Sequence, residues 1–544
     1  MQKCIFLPIV TENIVFVILN FFSFGFKLRI VTIFGFLFVS MSFFRKIPIT
    51  MATQHPDNAG EALWCGKKFI STADEIEECY RSFDELGIQE YMWDWEGKFV
   101  DEAVIDRLFQ RYHEFFKKRP LGKDTFLTFR IPNVWEERGY RLARAFMSIL
   151  TADDLAAQMG AHRPPLFEVI LPMTKSAKQL MFVHKTFWGT VRIKKEIFGG
   201  TSRGFKNFNV IPLFEEVDDL TSVDKVLSQY FTMYEKEYKR KIPYLRPFIA
   251  RSDPALNAGL VPAVLSVKAA LSLFYDLSEQ WKIPFYPIIG TGSLPFRGGV
   301  NPDNIRETIQ EFAGIRTVTL QSAFRYDYDP LKVKKAIKII HDSLPKLEAK
   351  ILTDAEIGKI KKLNQLFAGF YRPTVEEIAD LVNQISSQIP SRRERMLHIG
   401  LFGYSRGIGK VTLPRAINFT AALYSLGVPP EFIGTGRGLE QAEKLGMTKF
   451  LRDTYLNLEA DLVHAGKYLN KENLDFLADQ YPGFAKIRYD IELVEKFLGR
   501  KLGPHKTHHF IHRNLVSSLY LHLLEKEDFT EELEKAAKIR KSLG

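Results

Sequence analysis

Two carboxylates sit where short apolar runs end. In FNVIPLFEEVDDL (208–220) the run Val210, Ile211, Leu213, Phe214 stops at Glu215; in PFIARSD (247–253) a similar run stops at Asp253. An apolar run of strand length with polar boundaries fits a parallel strand buried on both faces. Two such strands, each delivering one carboxylate to its C-terminal end, could hold a divalent ion between them. Mg²⁺ favours a few carboxylates, with waters and substrate oxygens completing its shell. A third segment, TGSLPFRGG at 291–299, joins Arg297 to Gly298 and Gly299. Glycine lets backbone N–H groups approach a phosphate closely, and arginine grips it through two donors.

The elements that must position these groups recur from about residue 126. Buried-strand candidates fall at 126–130, 167–172, 208–215, 247–253, 285–290, 317–321, 397–403 and 432–434, with helical stretches between them. Eight strands in βα alternation predict an α/β fold, a closed (β/α)₈ TIM-type barrel; an open doubly wound sheet is the alternative. The expected strand ends carry Arg130, Met173-Thr174, Glu215, Asp253, Thr291-Gly292-Ser293, Gln321 with Arg325, Ser405-Arg406, and Thr435. Polar groups at one end of every strand are what an active-site face requires. Residues 330–395 read as a helical elaboration between the sixth and seventh strands, and 440–544 as helices outside the barrel. Ahead of the strands, 52–60 (ATQHPDNAG) reads as a loop carrying His55, and 91–97 (YMWDWEG) as aromatic core packing with a polar edge. Two carboxylates and several arginines, with no Ser–His–Asp set and no strand-end lysine, suit a phosphorylated acid bound with Mg²⁺. Chemistry there would run by charge stabilisation.

Other motifs are weaker. Gly403–Lys410 imitates a phosphate-binding loop, but its second glycine is misplaced and Val411 follows the lysine, so no nucleotide triphosphate is expected. The glycines of 434–438 are too few for a dinucleotide site. His508, His509 and His512 include an i, i+4 pair without an acidic partner and read as a solvated face. Over 544 residues the chain is 46% hydrophobic and 26% charged, a globular balance. Its net charge of +11 is dispersed among acidic residues, which speaks for an anionic small substrate and against nucleic acid. Three cysteines without C-x-x-C spacing exclude a disulfide framework or zinc site and point to a cytoplasmic protein.

Residues 1–50 differ in character. Two apolar runs, 14–26 and 30–44, are separated by Lys27 and Arg29, and each is shorter than a spanning helix needs. They read as an extension: a start assigned upstream of Met41 or Met51, an interfacial anchor, or a hairpin on the body. Residues 51–544 then form one catalytic domain, with barrel strands over about 126–434.

The motifs MATQHPDN (51–58), YMWDWEGK, LTFRIPN, EVILPMT, ARSDPALNAG, GTGSLPFRGG and TVTLQSAFRYDY together resemble archaeal-type phosphoenolpyruvate carboxylase over most of 51–544. The resemblance implies a carboxy-lyase that joins phosphoenolpyruvate and bicarbonate into oxaloacetate and phosphate, an anaplerotic step, with Mg²⁺ or Mn²⁺, in a cytoplasmic homotetramer. It implies Glu215 and Asp253 as metal ligands and His55 as a catalytic histidine. Arg130, Arg297, Arg406 and Arg415 become catalytic arginines, and Arg325, Gly298 and Gly299 substrate-binding positions. Leu256 and Pro295 replace a lysine and a histidine of the larger bacterial and plant form. The ending KIRKSLG also lacks that form's terminal motif. The competing readings are another phosphoenolpyruvate- or pyruvate-handling barrel, a lyase or mutase, and a membrane-anchored binding protein.

Overall fold

The computed structural model describes residues 45–95, 102–136, 140–160, 163–199, 205, 208–394, 406–408 and 411–544. The extension read at 1–50 lies outside these residues up to 44. The compact unit that carries the fold is Ile47–Gly544.

Eight parallel strands close a barrel: β1 (Thr50–Thr53), β2 (Glu90–Asp94), β3 (Phe126–Arg130), β4 (Glu168–Leu171), β5 (Asn209–Phe214), β6 (Phe248–Ala250), β7 (Ile288–Gly290) and β8 (Thr317–Leu320). β8 pairs with β1 in parallel, Val318 beside Thr50 and Leu320 beside Ala52. The barrel class is as the sequence predicts, and six strands fall where expected. The other two do not. The barrel takes in the segments 50–53 and 90–94. The 432–434 segment is no strand: Pro430–Phe432 is a 3₁₀ turn and Thr435 opens a helix. Pro429 and Pro430 remove the donors a central strand needs, and Gly434 sits at φ +70°. Thr435 bonds the Glu431 carbonyl and stands at no strand end. Residues 397–403 lie outside the described residues, and Arg406–Ile408 pairs only with Val411–Leu413, as a hairpin separate from the barrel. The stretch 330–395 therefore follows barrel closure and does not interrupt it.

The barrel interior is layered. At the N-terminal end of the strands, the Arg246 guanidinium donates to Glu90 Oε1 and Oε2 at 2.9 and 2.6 Å and to Glu168 Oε2 at 2.8 Å. Tyr244 and Thr128 hydroxyls close the remaining carboxylate positions. Above this plug lies an apolar layer of Met51, Met92, Ile170, Ile211, Leu213, Phe248, Ala250 and Ile288. Only the opposite end of the barrel is left for ionisable groups. A second core stands outside the barrel. There the apolar helix Leu260–Trp281 packs against the 33-residue helix Asp354–Ser386. Among the described residues Leu260–Trp281 is the one helix long and apolar enough to cross a membrane, and most of it is buried in this core.

The wall of the barrel starts before Met51. The Pro48 carbonyl accepts from Thr317 Oγ1, the Ile49 carbonyl from Val318 N at 3.0 Å, and Ile49 N donates to Gln89 Oε1 at 2.7 Å. A chain begun at Met51 loses all three bonds, and a chain begun at Met41 keeps them. At about 1 kcal/mol per bond, the Met51 form is expected to be less stable by roughly 2–3 kcal/mol in urea titrations of the two forms.

Candidate active site

Chemistry-bearing side chains collect at the carboxyl ends of the strands. Glu215 directly follows β5 and is buried, its Oε2 accepting from Met173 N at 2.8 Å. Met173 holds a left-handed backbone, φ 49°, which a residue with a Cβ adopts at a cost and which turns its N–H onto Glu215. Asp253 follows β6 in the first turn of the helix Ser252–Ala258 and is half-buried. β5 and β6 are neighbours, Phe214 beside Ile249, so the two carboxylates leave adjacent strands at the same end. Among the described residues no group of three or more His, Cys, Asp and Glu side chains gathers for a metal. Two hard oxygen donors, with other positions left to substrate and water, fit a Mg²⁺-type ion better than a closed cage would.

Arg297 is the hub. It ends the 3₁₀ turn Pro295–Arg297 after β7 and is 1% exposed. Its Nη1 donates to Asp57 Oδ2 at 3.2 Å and to the Gly544 carbonyl at 2.5 Å. Nη2 donates to Gln321 Oε1 at 2.5 Å, and Nε to Ser252 Oγ at 3.3 Å. Burial pulls the guanidinium below its ordinary pKa; Asp57 and then Asp253 oppose the pull. Asp57 is fully buried, and burial raises its carboxyl against Arg297 and the Ala323 amide. The loop that carries Arg297 needs its glycine: Gly298 sits at φ +115°, and a Cβ there would stand 2.7 Å from Thr291 Cγ2. Beneath the loop, Arg251 donates to the Phe296 and Pro295 carbonyls, and Glu431 Oε1 accepts from Phe296 N at 2.9 Å and from Tyr424 at 2.8 Å.

Burial raises the Glu431 carboxyl to about 7, and its Oε2 has no hydrogen-bond partner. The sign follows. Below the unfolded carboxyl pKa, about 4.3, both states are protonated. Between there and about 7 only the folded state keeps the proton, so stability falls as pH rises. Glu431→Gln keeps the bond to Phe296 and removes the titration. The fall in melting temperature between pH 5 and 7 is expected to be shallower in this variant than in the wild type.

The other expected residues divide. Arg130, the last residue of β3, is gripped through Nε and Nη2 by Asp94, the last residue of β2, at 2.8 and 2.6 Å. His55 is half-buried beyond β1, its Nδ1 3.0 Å from Thr53 Oγ1. Arg415 precedes the helix Ala416–Ser425 and is half-buried. The Arg406 side chain lies outside the description. Arg325 sits in a different setting: Nη2 donates to the Thr53 carbonyl and pairs with Glu78 at 3.0 Å, Nη1 donates to Ser82, and Nε to the Gln321 carbonyl. Arg393 shares that Glu78 at 2.5 Å. Burial works against ionisation, yet Arg393 and Arg325 hold Glu78 far below the carboxylate range. This buried cluster fastens β1 and β8 to the helix Glu75–Asp84. The histidine face expected to be solvated is mostly packed: His508 is exposed, but His509 and His512 on the helix Thr507–Glu525 are buried.

Asp57, Asp94, Arg251, Glu431 and Gly544 were not singled out by sequence. The first three lie inside the motifs MATQHPDN, YMWDWEGK and ARSDPALNAG, which is the signal that could have found them. Glu431 and Gly544 lie outside any such motif.

A family model described as phosphoenolpyruvate carboxylase matches residues 47–544. Proteins named phosphoenolpyruvate carboxylase are similar along most of their length. The Oenococcus oeni protein is 38% identical over 92% of this chain and 99% of its own. The Metallosphaera sedula protein is 39% identical over 92% and 100%, and the Methanothermobacter thermautotrophicus protein 39% identical over 79% and 88%.

Proposed function

The chain belongs to the archaeal-type phosphoenolpyruvate carboxylase family, and from that premise we propose how its own residues carry the reaction of phosphoenolpyruvate with bicarbonate to oxaloacetate and phosphate. The observation that supports the assignment of roles is the convergence of Glu215 and Asp253 from adjacent strands with Arg297 at the same barrel end.

Glu215 and Asp253 would hold the family's divalent ion, Mg²⁺ or Mn²⁺, which when bound supplies positive charge against the negative charge that develops on the substrate oxygens. Arg130, Arg297, Arg406 and Arg415 bind the phosphate and carboxylate of phosphoenolpyruvate, with the Gly298–Gly299 backbone close to the phosphate. Partners already fix two of these arginines, Asp94 on Arg130 and Asp57 with Gln321 on Arg297, so little reorganisation is needed when substrate enters. Arg325, held by Glu78, Ser82 and the Thr53 carbonyl, is the further substrate-binding arginine of this reading. Bicarbonate held against phosphorus takes the phosphoryl group, giving carboxyphosphate and the enolate of pyruvate. His55, its Nδ1 directed by Thr53, exchanges the proton at Nε2 as carboxyphosphate breaks down to CO₂ and phosphate. The enolate then attacks CO₂ over the apolar layer of the barrel, which keeps water from the carbon that would otherwise be protonated to pyruvate. A cytoplasmic homotetramer is the assembly carried over with this reading; sedimentation velocity would show the mass of four chains.

The decisive assay follows oxaloacetate through malate dehydrogenase and NADH, with the full chain, phosphoenolpyruvate and Mg²⁺, with and without bicarbonate. Bicarbonate-dependent loss of NADH is expected; pyruvate as the product, or bicarbonate-independent turnover, overturns the reading in favour of another phosphoenolpyruvate-handling barrel. Asp253→Asn, which keeps an oxygen but removes the charge, is expected to lower kcat by ~10² and to raise the Mg²⁺ concentration needed for half activity. Unchanged Mg²⁺ dependence would remove Asp253 from the metal.

A further inference from the structure

The helix Thr507–Glu525 carries apolar residues on two sides. His509, His512, Val516, Leu519, Tyr520 and Leu523 face the body of the protein and are buried. On the opposite side Phe510 is 43% exposed, Leu521 62% and Leu524 50%, with Ile511 beside them at 48%. A helix that packs on one face ordinarily turns polar residues outward. Single exposed apolar residues are common, but these share one line along the helix. Thr507, Phe510, Asn514, Ser517, Leu521 and Leu524 follow one another at steps of 3, 4, 3, 4 and 3 residues. All are exposed except Ser517, which is half-buried. That alternation of steps is the seam of a two-stranded coiled coil.

Charge selects one orientation for a second helix on this seam. From Lys501 to Asn514 the chain carries Lys501, Lys506 and Arg513 and no carboxylate. From Leu524 to Glu532 it carries five carboxylates, Glu525, Glu527, Asp528, Glu531 and Glu532, and one lysine, Lys526. A parallel copy would set base on base and acid on acid; an antiparallel copy sets each against its opposite. The antiparallel register also matches the side chains. Thr507 meets Leu524, Phe510 meets Leu521 and Asn514 meets Ser517, three pairs of a single register that a two-fold axis repeats. The small polar pair falls at the axis, where an asparagine in a seam fixes register, and the apolar pairs flank it. Lys506 then lies beside Glu525 and Glu527 of the second copy.

We propose that the outer face of Thr507–Glu525 is a two-fold interface with a second copy of this chain, the two helices antiparallel. The inference rests on the assembly of identical chains carried over above, and names the surface that builds it. None of the residues assigned to the reaction lies on the seam, so changes there read assembly and not chemistry.

The test is sedimentation velocity of the full chain over a range of protein concentrations, wild type beside seam variants. Leu521→Glu sets a carboxylate against Phe510 at two places in the interface. It is expected to weaken association at least ~10²-fold and to halve the mass of the assembly. Lys506→Glu, and separately Glu525→Lys/Glu527→Lys, set like charges together and are each expected to weaken association ~5-fold. All three charge changes in one chain restore opposite charges, and association should return to within ~2-fold of the wild type. Circular dichroism checks each fold, and the charge series stands alone should Leu521→Glu unfold. The outcomes separate this interface from the tetramer reading. A wild-type dimer that Leu521→Glu splits sustains the interface and removes the tetramer. A wild-type tetramer that every variant keeps sustains the tetramer and overturns the interface. A monomeric wild type overturns both, and charge variants that weaken association without rescue overturn the antiparallel pairing.

Discussion

Arg297→Lys is expected to lower kcat/KM for phosphoenolpyruvate by ~10³ while leaving the barrel folded. Lysine keeps the charge, so a loss of that size isolates the geometry of the guanidinium. Three nitrogens of Arg297 reach Asp57, Gly544, Gln321 and Ser252, elements that follow β1, β6 and β8 and the end of the chain. An ammonium offers three donors from one atom and cannot span these positions. The buried Asp57, whose pKa burial already raises, would lose its fixed partner. Steady-state kinetics with circular dichroism checks the result. A loss confined to KM would make Arg297 a grip felt equally by the bound substrate and the transition state, and unchanged kinetics would exclude it from the site.

Arg246→Met is expected to have the largest effect on stability, a loss of about 3–5 kcal/mol. The guanidinium lies at the dry end of the barrel, fully buried between Glu90 and Glu168. Removing it leaves two carboxylates in apolar surroundings without a cation, and both must take up protons for the barrel to stay closed. Their stabilisation therefore shifts to acid pH, and the deficit of the variant should shrink as pH falls toward 5. Glu90→Gln/Glu168→Gln/Arg246→Met removes the charges together and is expected to recover part of the loss. Urea titrations at pH 5 and 8 separate these outcomes. A deficit independent of pH would locate the cost in packing and not in the charges.

The strand ends that carry Glu215 and Asp253 were legible in the sequence because each follows an apolar run, Glu215 directly and Asp253 after Arg251 and Ser252, and the six strands from 126 to 321 were legible because a strand buried on both faces is continuous in hydropathy. β1 and β2 were not. TMAT is four residues long and is followed at once by Gln54, His55 and Pro56, so the turn signals mask it. EYMWD begins and ends with carboxylates that the barrel interior uses, Glu90 for Arg246 and Asp94 for Arg130. Charge that is paired inside a barrel looks, in sequence, like charge facing water. The same reason hid the ion-pair setting of Arg325. Its carboxylate partner Glu78 also holds Arg393, 315 residues away along the chain, and no local pattern announces a bond of that span.

Barrel closure by β1 and β8 has a consequence in time. Pro48 and the Thr317 hydroxyl that bonds it are 269 residues apart. At a synthesis rate of ~5–20 residues per second, roughly 15 to 50 s pass between the emergence of the first strand and that of the strand that seals it. Throughout that interval β1 has β2 on one side and an open edge on the other, a template for pairing with a second nascent chain. Chains released before Leu320 therefore carry an unsealed wall, and aggregation of such fragments, with recovery once β8 is included, is the behaviour this topology dictates.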